Sequence, residues 1–126
     1  MIKILLVEDD KIIVASLSEY LNSEGYLVRS VSGQTAAMKL LAEEKVDLVL
    51  LDVMMPDISG FDVAKQMKAD PEMSDIPIIF LTALNSTADI VKGFQVGGND
   101  FISKPFNKEE LIIRVTHQIS LVAAKR

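Results

Sequence analysis

The 126-residue chain contains no cysteine and no tryptophan. Without cysteine, the protein cannot use disulfide bonds, thiolate metal sites or cysteine nucleophiles. No apolar stretch reaches the roughly 18 residues that a membrane-spanning helix needs. The apolar run from Ile4 to Val7 is also too short for the core of a signal peptide, and acidic residues follow it directly. We therefore expect a cytoplasmic protein without a membrane partner.

Basic residues are in the minority, with 13 Lys and Arg against 18 Asp and Glu, for a formal net charge of −5. Because nucleic acids bind positively charged surfaces, this balance argues against nucleic acid as a partner of this segment. Hydrophobic residues make up 49% and charged residues 25%, which is typical of globular domains. The length suits one domain. We expect this domain to span residues 1–120, and residues 121–126 to extend the last helix or begin a linker to a further domain.

Short apolar runs recur along the chain and alternate with segments of helical spacing. The runs are Ile4–Val7, Leu27–Val31, Val46–Leu51, Ile76–Leu81 and Phe101–Ile102. Most of them are continuously apolar, which is typical of strands buried on both faces of a parallel sheet. The second run is more polar and therefore suits an edge strand.

Helix signals fill the gaps between these runs. Gly25 follows the first helical stripe and favours its end. Capping pairs that predict helix starts are Ser59 with Asp62, Ser86 with Asp89, and Asn107 with Glu110. The resulting βαβαβαβαβα order predicts an α/β fold. At this length we expect a flavodoxin-like three-layer sandwich, with a five-stranded parallel sheet of order 2-1-3-4-5 and five helices.

Acidic residues follow two strands that this order makes neighbours. The first strand ends in Glu8, Asp9 and Asp10, and the third ends in Asp52. Ligands of open α/β sheets bind beyond the carboxyl ends of the strands, where strand order reverses. Carboxylates that converge there repel one another unless they are neutralised, and a hard cation such as Mg²⁺ is the natural partner. In the alternative interpretation, Asp9 and Asp10 cap the first helix and Asp52 begins a solvated turn.

Two further polar residues follow the last strands. Thr82 ends the fourth strand and Lys104 follows the fifth. Either residue alone is more often structural, since threonine is simply a good strand residue. Together with Asp52 and a metal, they provide a hydroxyl donor, an ammonium group and a carboxylate nucleophile. This set is suited to phosphoryl transfer to an aspartate.

Four motifs carry a resemblance to a known family: LLVED, LLDVMMPDISGFD, LTA and DFISKPF. In this order and spacing, the sequence resembles the receiver domain of two-component response regulators, including the chemotaxis receivers. The resemblance runs from about Lys3 to about Ile119. It implies that Asp52 is the phosphoacceptor. It also implies that Asp9 binds Mg²⁺ directly, that Glu8 binds it through water, and that the backbone carbonyl of Met54 is a further ligand.

The resemblance also assigns roles at the last two strands. Thr82 and Lys104 match the hydroxyl and the lysine that contact the phosphoryl oxygens. Phe101 matches the aromatic switch position, although a phenylalanine at the edge of the core is the structural alternative. Members of the family usually hold the bond after this lysine in cis, so we expect a cis Lys104–Pro105 bond.

The implied function is phosphorelay signalling. A histidine kinase or phosphotransfer protein would phosphorylate Asp52, and the domain would switch conformation to regulate an output domain or protein. The chain would catalyse only its own phosphorylation and dephosphorylation, and it could form a homodimer through helix 4, strand 5 and helix 5. Met54 and Leu84 occupy the family's variable positions that tune phosphate loss. Because both are apolar, neither can orient water, and we expect slow self-dephosphorylation.

Three other functions are compatible with parts of this pattern. A Mg²⁺-dependent phosphatase with an aspartyl-phosphate intermediate would typically carry a second acid where Met54 lies. A flavodoxin would need a hydroxyl- and glycine-rich phosphate loop in place of Glu8 to Asp10. A pseudo-receiver would bind partners without phosphorylation, and the complete set of acids, hydroxyl and lysine argues against it.

Overall fold

The computed structural model describes residues 1–55, 59–83 and 86–125. Strands and helices alternate along them, as the sequence predicts. The elements are β1 (Lys3–Val7), α1 (Lys11–Ser23), β2 (Leu27–Val31), α2 (Gln34–Glu43), β3 (Leu48–Asp52), α3 (Gly60–Ala69), β4 (Ile78–Thr82), α4 (Thr87–Gln95), β5 (Asp100–Ser103) and α5 (Lys108–Lys125). Among the described residues, no helix is both long enough and apolar enough to cross a membrane.

The strands form one parallel sheet of order β2-β1-β3-β4-β5, which confirms the predicted flavodoxin-like topology. In the register of the sheet, Val7 lies opposite Leu51, and Asp52 lies opposite Leu81. The carboxyl ends of β1, β3 and β4 therefore meet at one edge. Strand order reverses between β1 and β3, so this is the edge at which the fold places ligands.

The core consists of two layers, one on each face of the sheet. Leu5 and Leu51 belong to the layer covered by α2 and α3, while Leu6 and Leu50 belong to the layer covered by α1 and α5. All four of these leucines are completely buried. Because successive residues of a strand point to opposite faces, burial of both faces explains the continuous apolar runs. The outer strand β2 consists of exposed and half-buried residues, as expected at an edge.

Side-chain caps start the helices at the predicted places. Ser59 Oγ accepts a hydrogen bond from Phe61 N at 3.1 Å, and Ser86 Oγ accepts one from Asp89 N at 3.2 Å. The last cap is Asn107, whose Oδ1 accepts a hydrogen bond from the Glu110 amide at 3.1 Å. Each cap satisfies an amide that has no partner inside its own helix. The caps therefore fix where the loops at the functional edge of the sheet end.

Candidate functional site

Three carboxylates meet at the carboxyl edge of the sheet. Glu8 and Asp9 directly follow β1, and Asp52 is the last residue of β3. One carboxylate oxygen of each lies within 4.8 Å of the others. Glu8 and Asp52 are 3% and 2% exposed, whereas Asp9 is exposed. The adjacency of β1 and β3 in the sheet produces this cluster from residues that lie more than 40 positions apart in sequence.

Asp10 has a different role from the three clustered acids. Its Oδ1 accepts hydrogen bonds from Ile12 N at 2.9 Å and Ile13 N at 3.3 Å, so its carboxylate caps α1. The capping alternative is therefore right for this residue. The Asp10 amide also donates to Glu8 Oε1 at 3.2 Å. The cap thus helps to orient the neighbouring glutamate within the cluster.

Lys104 brings positive charge to the cluster from the residue after β5. Its Nζ lies 3.0 Å from Glu8 Oε2 and 3.4 Å from Asp52 Oδ1. The Lys104 amide donates to the Thr82 carbonyl at 2.8 Å, which ties this residue to the end of β4. The Lys104–Pro105 bond is cis, as expected. The structure thus brings the predicted lysine into contact with two of the predicted acids.

Burial and crowding change the ionisation of these groups. Burial, followed by the neighbouring Asp52, raises the pKa of Glu8 to about 7, although Lys104 and the Asp10 amide act in the opposite direction. Burial alone would lower the pKa of Lys104, but its contacts with Glu8 and Asp52 outweigh this effect and raise it. One ammonium group faces three carboxylates. The cluster therefore favours further positive charge, either a proton or a cation.

The donor set fits a hard divalent cation. Carboxylate and backbone carbonyl oxygens are the ligands that Mg²⁺ prefers, and Mg²⁺ sites usually keep several water ligands. Asp9 is exposed and leaves the cluster open to solvent. The Met54 amide donates to Asp52 Oδ1 at 3.1 Å, so the chain after β3 bends back towards this carboxylate. The residues present are therefore compatible with the predicted ligand set of Glu8, Asp9, Asp52 and the Met54 carbonyl.

Thr82 and Phe101 lie on β4 and β5, the two strands on one side of Asp52 in the sheet. Thr82 ends β4 and is 1% exposed, one position beyond the residue that pairs with Asp52. Phe101 is half-buried on β5, with its ring centroid 5.3 Å from that of Phe80 and 5.4 Å from that of Phe94. The ring of Phe101 therefore bridges the core and an exposed side chain of α4. Phe101 is thus placed at the core edge, and its role as a switch stays a prediction.

Two glycines near these residues were not singled out from the sequence. A Cβ on Gly60 would collide with the backbone carbonyl of Asp52, and a Cβ on Gly93 would collide with the ring of Phe101. Gly60 also donates its amide to the Val53 carbonyl at 2.9 Å. The sequence signal for these contacts was a glycine inside a helix, at the start of α3 and within α4. Glycine weakens helices, so its presence there indicates close packing against the helix backbone.

Met54 and Leu84 occupy the two positions that are expected to tune phosphate loss. Met54 is 60% exposed, and its side chain has no polar group that could position water near Asp52. Leu84 lies outside the described residues.

Several known proteins are similar to this chain in sequence. The sequence model of the response regulator receiver domain matches residues 4–116. The transcriptional regulatory protein RprY of Bacteroides fragilis is 40% identical over 125 residues, which cover 99% of this chain and 52% of RprY. Response regulator SaeR of Staphylococcus epidermidis is 38% identical over 95% of this chain and 51% of its own length. The chain thus spans about half the length of these curated relatives.

Solved structures agree with the sequence comparison. The non-phosphorylated HemR receiver domain of Leptospira biflexa superposes with a TM-score of 0.87 and 37% identity, over 95% of both chains. The receiver domain of sensor histidine kinase PA1611 from Pseudomonas aeruginosa PAO1 gives a TM-score of 0.86 and 30% identity, over 94% of this chain and 97% of that one. That domain was solved with a magnesium ion coordinated in its active site cleft. The present chain belongs to the response regulator receiver domain family.

Proposed function

We propose that Asp52 accepts a phosphoryl group from a histidine kinase or a phosphotransfer protein, with Mg²⁺ as cofactor. The chain is a receiver domain of two-component response regulators. The observation that carries the proposal is the buried Asp52 carboxylate, which lies 3.4 Å from Lys104 Nζ and within the cluster formed with Glu8 and Asp9. The Asp52 carboxylate thus has Lys104 as a counter-ion and two further acids, Glu8 and Asp9, that could hold a cation beside it.

Each residue of the site has a task in this reaction. An oxygen of Asp52 attacks the phosphorus atom and forms the aspartyl phosphate, while the bond from phosphorus to the donor breaks. Lys104, which pairs with Glu8 and Asp52 at rest, then pairs with a phosphoryl oxygen. Mg²⁺, when bound by Glu8, Asp9, Asp52 and the Met54 carbonyl, supplies positive charge that offsets the carboxylates and the phosphoryl oxygens.

We further propose that Thr82 and Phe101 convert this modification into a conformational change. The Thr82 hydroxyl donates to a phosphoryl oxygen, and the Phe101 ring moves in response. The present position of that ring between Phe80 and Phe94 supports this, because a movement of the ring changes the surface of α4. Ligation or modification that favours one arrangement shifts the population of the two states.

The family is a signalling domain and not a classical enzyme. We propose that this chain catalyses only the gain and loss of its own phosphoryl group. We propose in addition that the loss is slow, because Met54 and Leu84 offer no hydrogen bond to an attacking water. A cytoplasmic location is part of the same proposal, since histidine kinases would have to reach Asp52 there.

The partners follow from the same assignment. We propose residues 1–120 as the receiver domain and residues 121–126 as an extension of the last helix or the start of a linker to an output domain; the curated relatives are about twice as long as this chain. A homodimer through α4, β5 and α5 is the proposed active assembly. Phe94 on α4 and Ile113 on α5 are 50% and 68% exposed, and an ion pair between Arg114 and Asp100 at 2.7 Å joins α5 to β5.

The decisive experiment is phosphorylation by a small donor. Incubation of the chain with Mg²⁺ and acetyl phosphate should add one phosphoryl group to the intact mass. Asp52→Asn should abolish this gain, whereas Asp62→Asn, an exposed acid in the first turn of α3, should retain it. An unmodified wild type at all Mg²⁺ concentrations would indicate a pseudo-receiver. Steady release of phosphate from added monoesters would indicate a phosphatase.

A further inference from the structure

A cleft of about 510 Å³ opens at the amino-terminal edge of the sheet, at the opposite end of the strands from Glu8 and Asp52. The connections from α2 to β3 and from α3 to β4 form two of its walls, and the last turns of α5 form another. Its volume lies within the roughly 300–1,000 Å³ of ligand sites. Since no residue proposed for phosphorylation lines it, the cleft is separate from that site.

The lining carries more negative than positive charge. Its charged residues are Glu44, Lys45, Asp47, Glu72 and Asp75. Glu44 is already paired, with Lys3 at 2.8 Å and Arg29 at 3.2 Å. Glu72 and Asp75 are both exposed, and within the described part of the chain neither takes part in an ion pair. The mouth of the cleft therefore presents two carboxylates that attract a cationic group.

A buried amide provides an independent sign of a ligand. Gln118 lines the cleft and is 6% exposed, yet its side chain makes no hydrogen bond to any described residue. No fully enclosed side-chain nitrogen or oxygen among the described residues lacks a partner, so the amide of Gln118 must open towards the cleft. Solvent in the cleft therefore reaches the amide, and an occupant that displaces this solvent must offer equivalent hydrogen bonds. Its amide offers one acceptor and two donors, which a peptide group can satisfy.

Other lining residues are apolar. Leu121 is 46% exposed on α5, and Val122 and Ile76 are half-buried. An occupant that combines positive charge, a peptide group and an aliphatic side chain would match all three features. A simple inorganic cation would satisfy only the carboxylates, and a neutral apolar ligand would leave them without a counter-charge.

We propose that this cleft binds an extended segment of a partner protein in which arginine or lysine stands next to an aliphatic residue. The basic side chain pairs with Glu72 and Asp75, a backbone peptide group pairs with the Gln118 amide, and the aliphatic side chain packs on Leu121 and Val122. Binding at this edge leaves the phosphorylation edge accessible, so both events can occur on one molecule.

The test uses the isotope-labelled 126-residue chain and a short acetylated peptide of alternating leucine and arginine, without Mg²⁺ or phosphodonor. The backbone amide signals of Ile76, Gln118 and Leu121 should shift in a saturable way. Glu72→Gln combined with Asp75→Asn should weaken binding about tenfold, the equivalent of one charged contact. Since both residues are exposed, this variant should fold normally. Glu19→Gln on α1 serves as the matched control and should bind as the wild type does.

Further variants separate this proposal from the phosphorylation site. Gln118→Leu should weaken binding of the peptide, while Asp52→Asn should leave it unchanged whether or not Asp52 accepts phosphate. The proposal is overturned if a leucine–glutamate peptide binds equally well, or if the shifted signals lie outside the cleft. Equal binding of free arginine amide would also overturn it, because the occupant would then need no peptide segment.

Discussion

The approach to Asp52 illustrates how much depends on a single side chain. Met54 follows Asp52 by two residues, its amide binds the Asp52 carboxylate at 3.1 Å, and its side chain is 60% exposed. The backbone of this residue is therefore held at the site, whereas its side chain faces the solvent from which an attacking water arrives. An apolar group there can exclude water but cannot orient it.

Polar replacements at this position should shorten the lifetime of the aspartyl phosphate. We expect Met54→Asn together with Leu84→Glu to speed its loss at least about tenfold, since a group that positions water contributes about 10²–10⁴ in rate. The measurement is the decay of the phosphorylated mass after removal of the donor. Met54→Leu is the matched control and should decay as the wild type does. If the variant with Met54→Asn and Leu84→Glu also decays at the wild-type rate, the apolar side chains do not set the lifetime of the aspartyl phosphate.

At the level of elements, the backbone of α4 packs directly against the ring of Phe101 on β5. Gly93 lies within this helix and faces Phe101 so closely that a Cβ would collide with the ring. A mid-helix glycine costs about 1 kcal/mol relative to alanine. The helix therefore gives up intrinsic stability to bring its backbone against the proposed switch residue.

The effect of Gly93→Ala should depend on Phe101. In the wild type, we expect the alanine to lower the free energy of unfolding by about 1–3 kcal/mol, because overpacking outweighs the gain in helix propensity. In a Phe101→Ala background, the same change should raise it by up to about 1 kcal/mol. Urea unfolding of the four proteins of this cycle measures the coupling. Additive effects would show that the ring does not constrain the helix.

The elements also show what the sequence can and cannot reveal. The continuous apolar runs indicated a parallel sheet, and their alternation with helical segments at this chain length was sufficient for the sheet order and for the edge at which Glu8 and Asp52 meet. The strand starts at Val46 and Ile76 were wrong by two residues, since β3 begins at Leu48 and β4 at Ile78. Apolarity marks burial, not strand hydrogen bonding.

The contacts missed from the sequence are those between elements. The packing of Gly93 on Phe101 depends on how closely α4 approaches β5, and the unpaired amide of Gln118 depends on how α5 ends above the α2–β3 connection. Neither distance is encoded in a local pattern. Asp10 was ambiguous for a related reason, because an acid at a helix start and an acid at a metal site look alike until the side chain is placed.

At the scale of the whole molecule, part of the net charge of −5 is concentrated in the cluster of Glu8, Asp9 and Asp52, where repulsion between carboxylates lowers the free energy of unfolding. Burial and the neighbouring Asp52 raise the pKa of Glu8 from 4.5 to about 7. The native state therefore keeps a proton that the unfolded chain releases between these pH values. It follows that the contribution of Glu8 to stability falls as the pH rises through this window.

Glu8→Gln should remove this part of the pH dependence in metal-free protein. Between pH 4.5 and 7, the free energy of unfolding of the wild type should fall relative to the variant by on the order of 3 kcal/mol, since the amide carries no proton to lose. Urea unfolding with a chelator present measures both proteins across the range. Glu43→Gln, an exposed change on α2, should follow the wild type. Parallel curves for wild type and Glu8→Gln would mean that the buried carboxylate is neutralised equally well by Lys104 at every pH, and that the cluster has no need of a further cation.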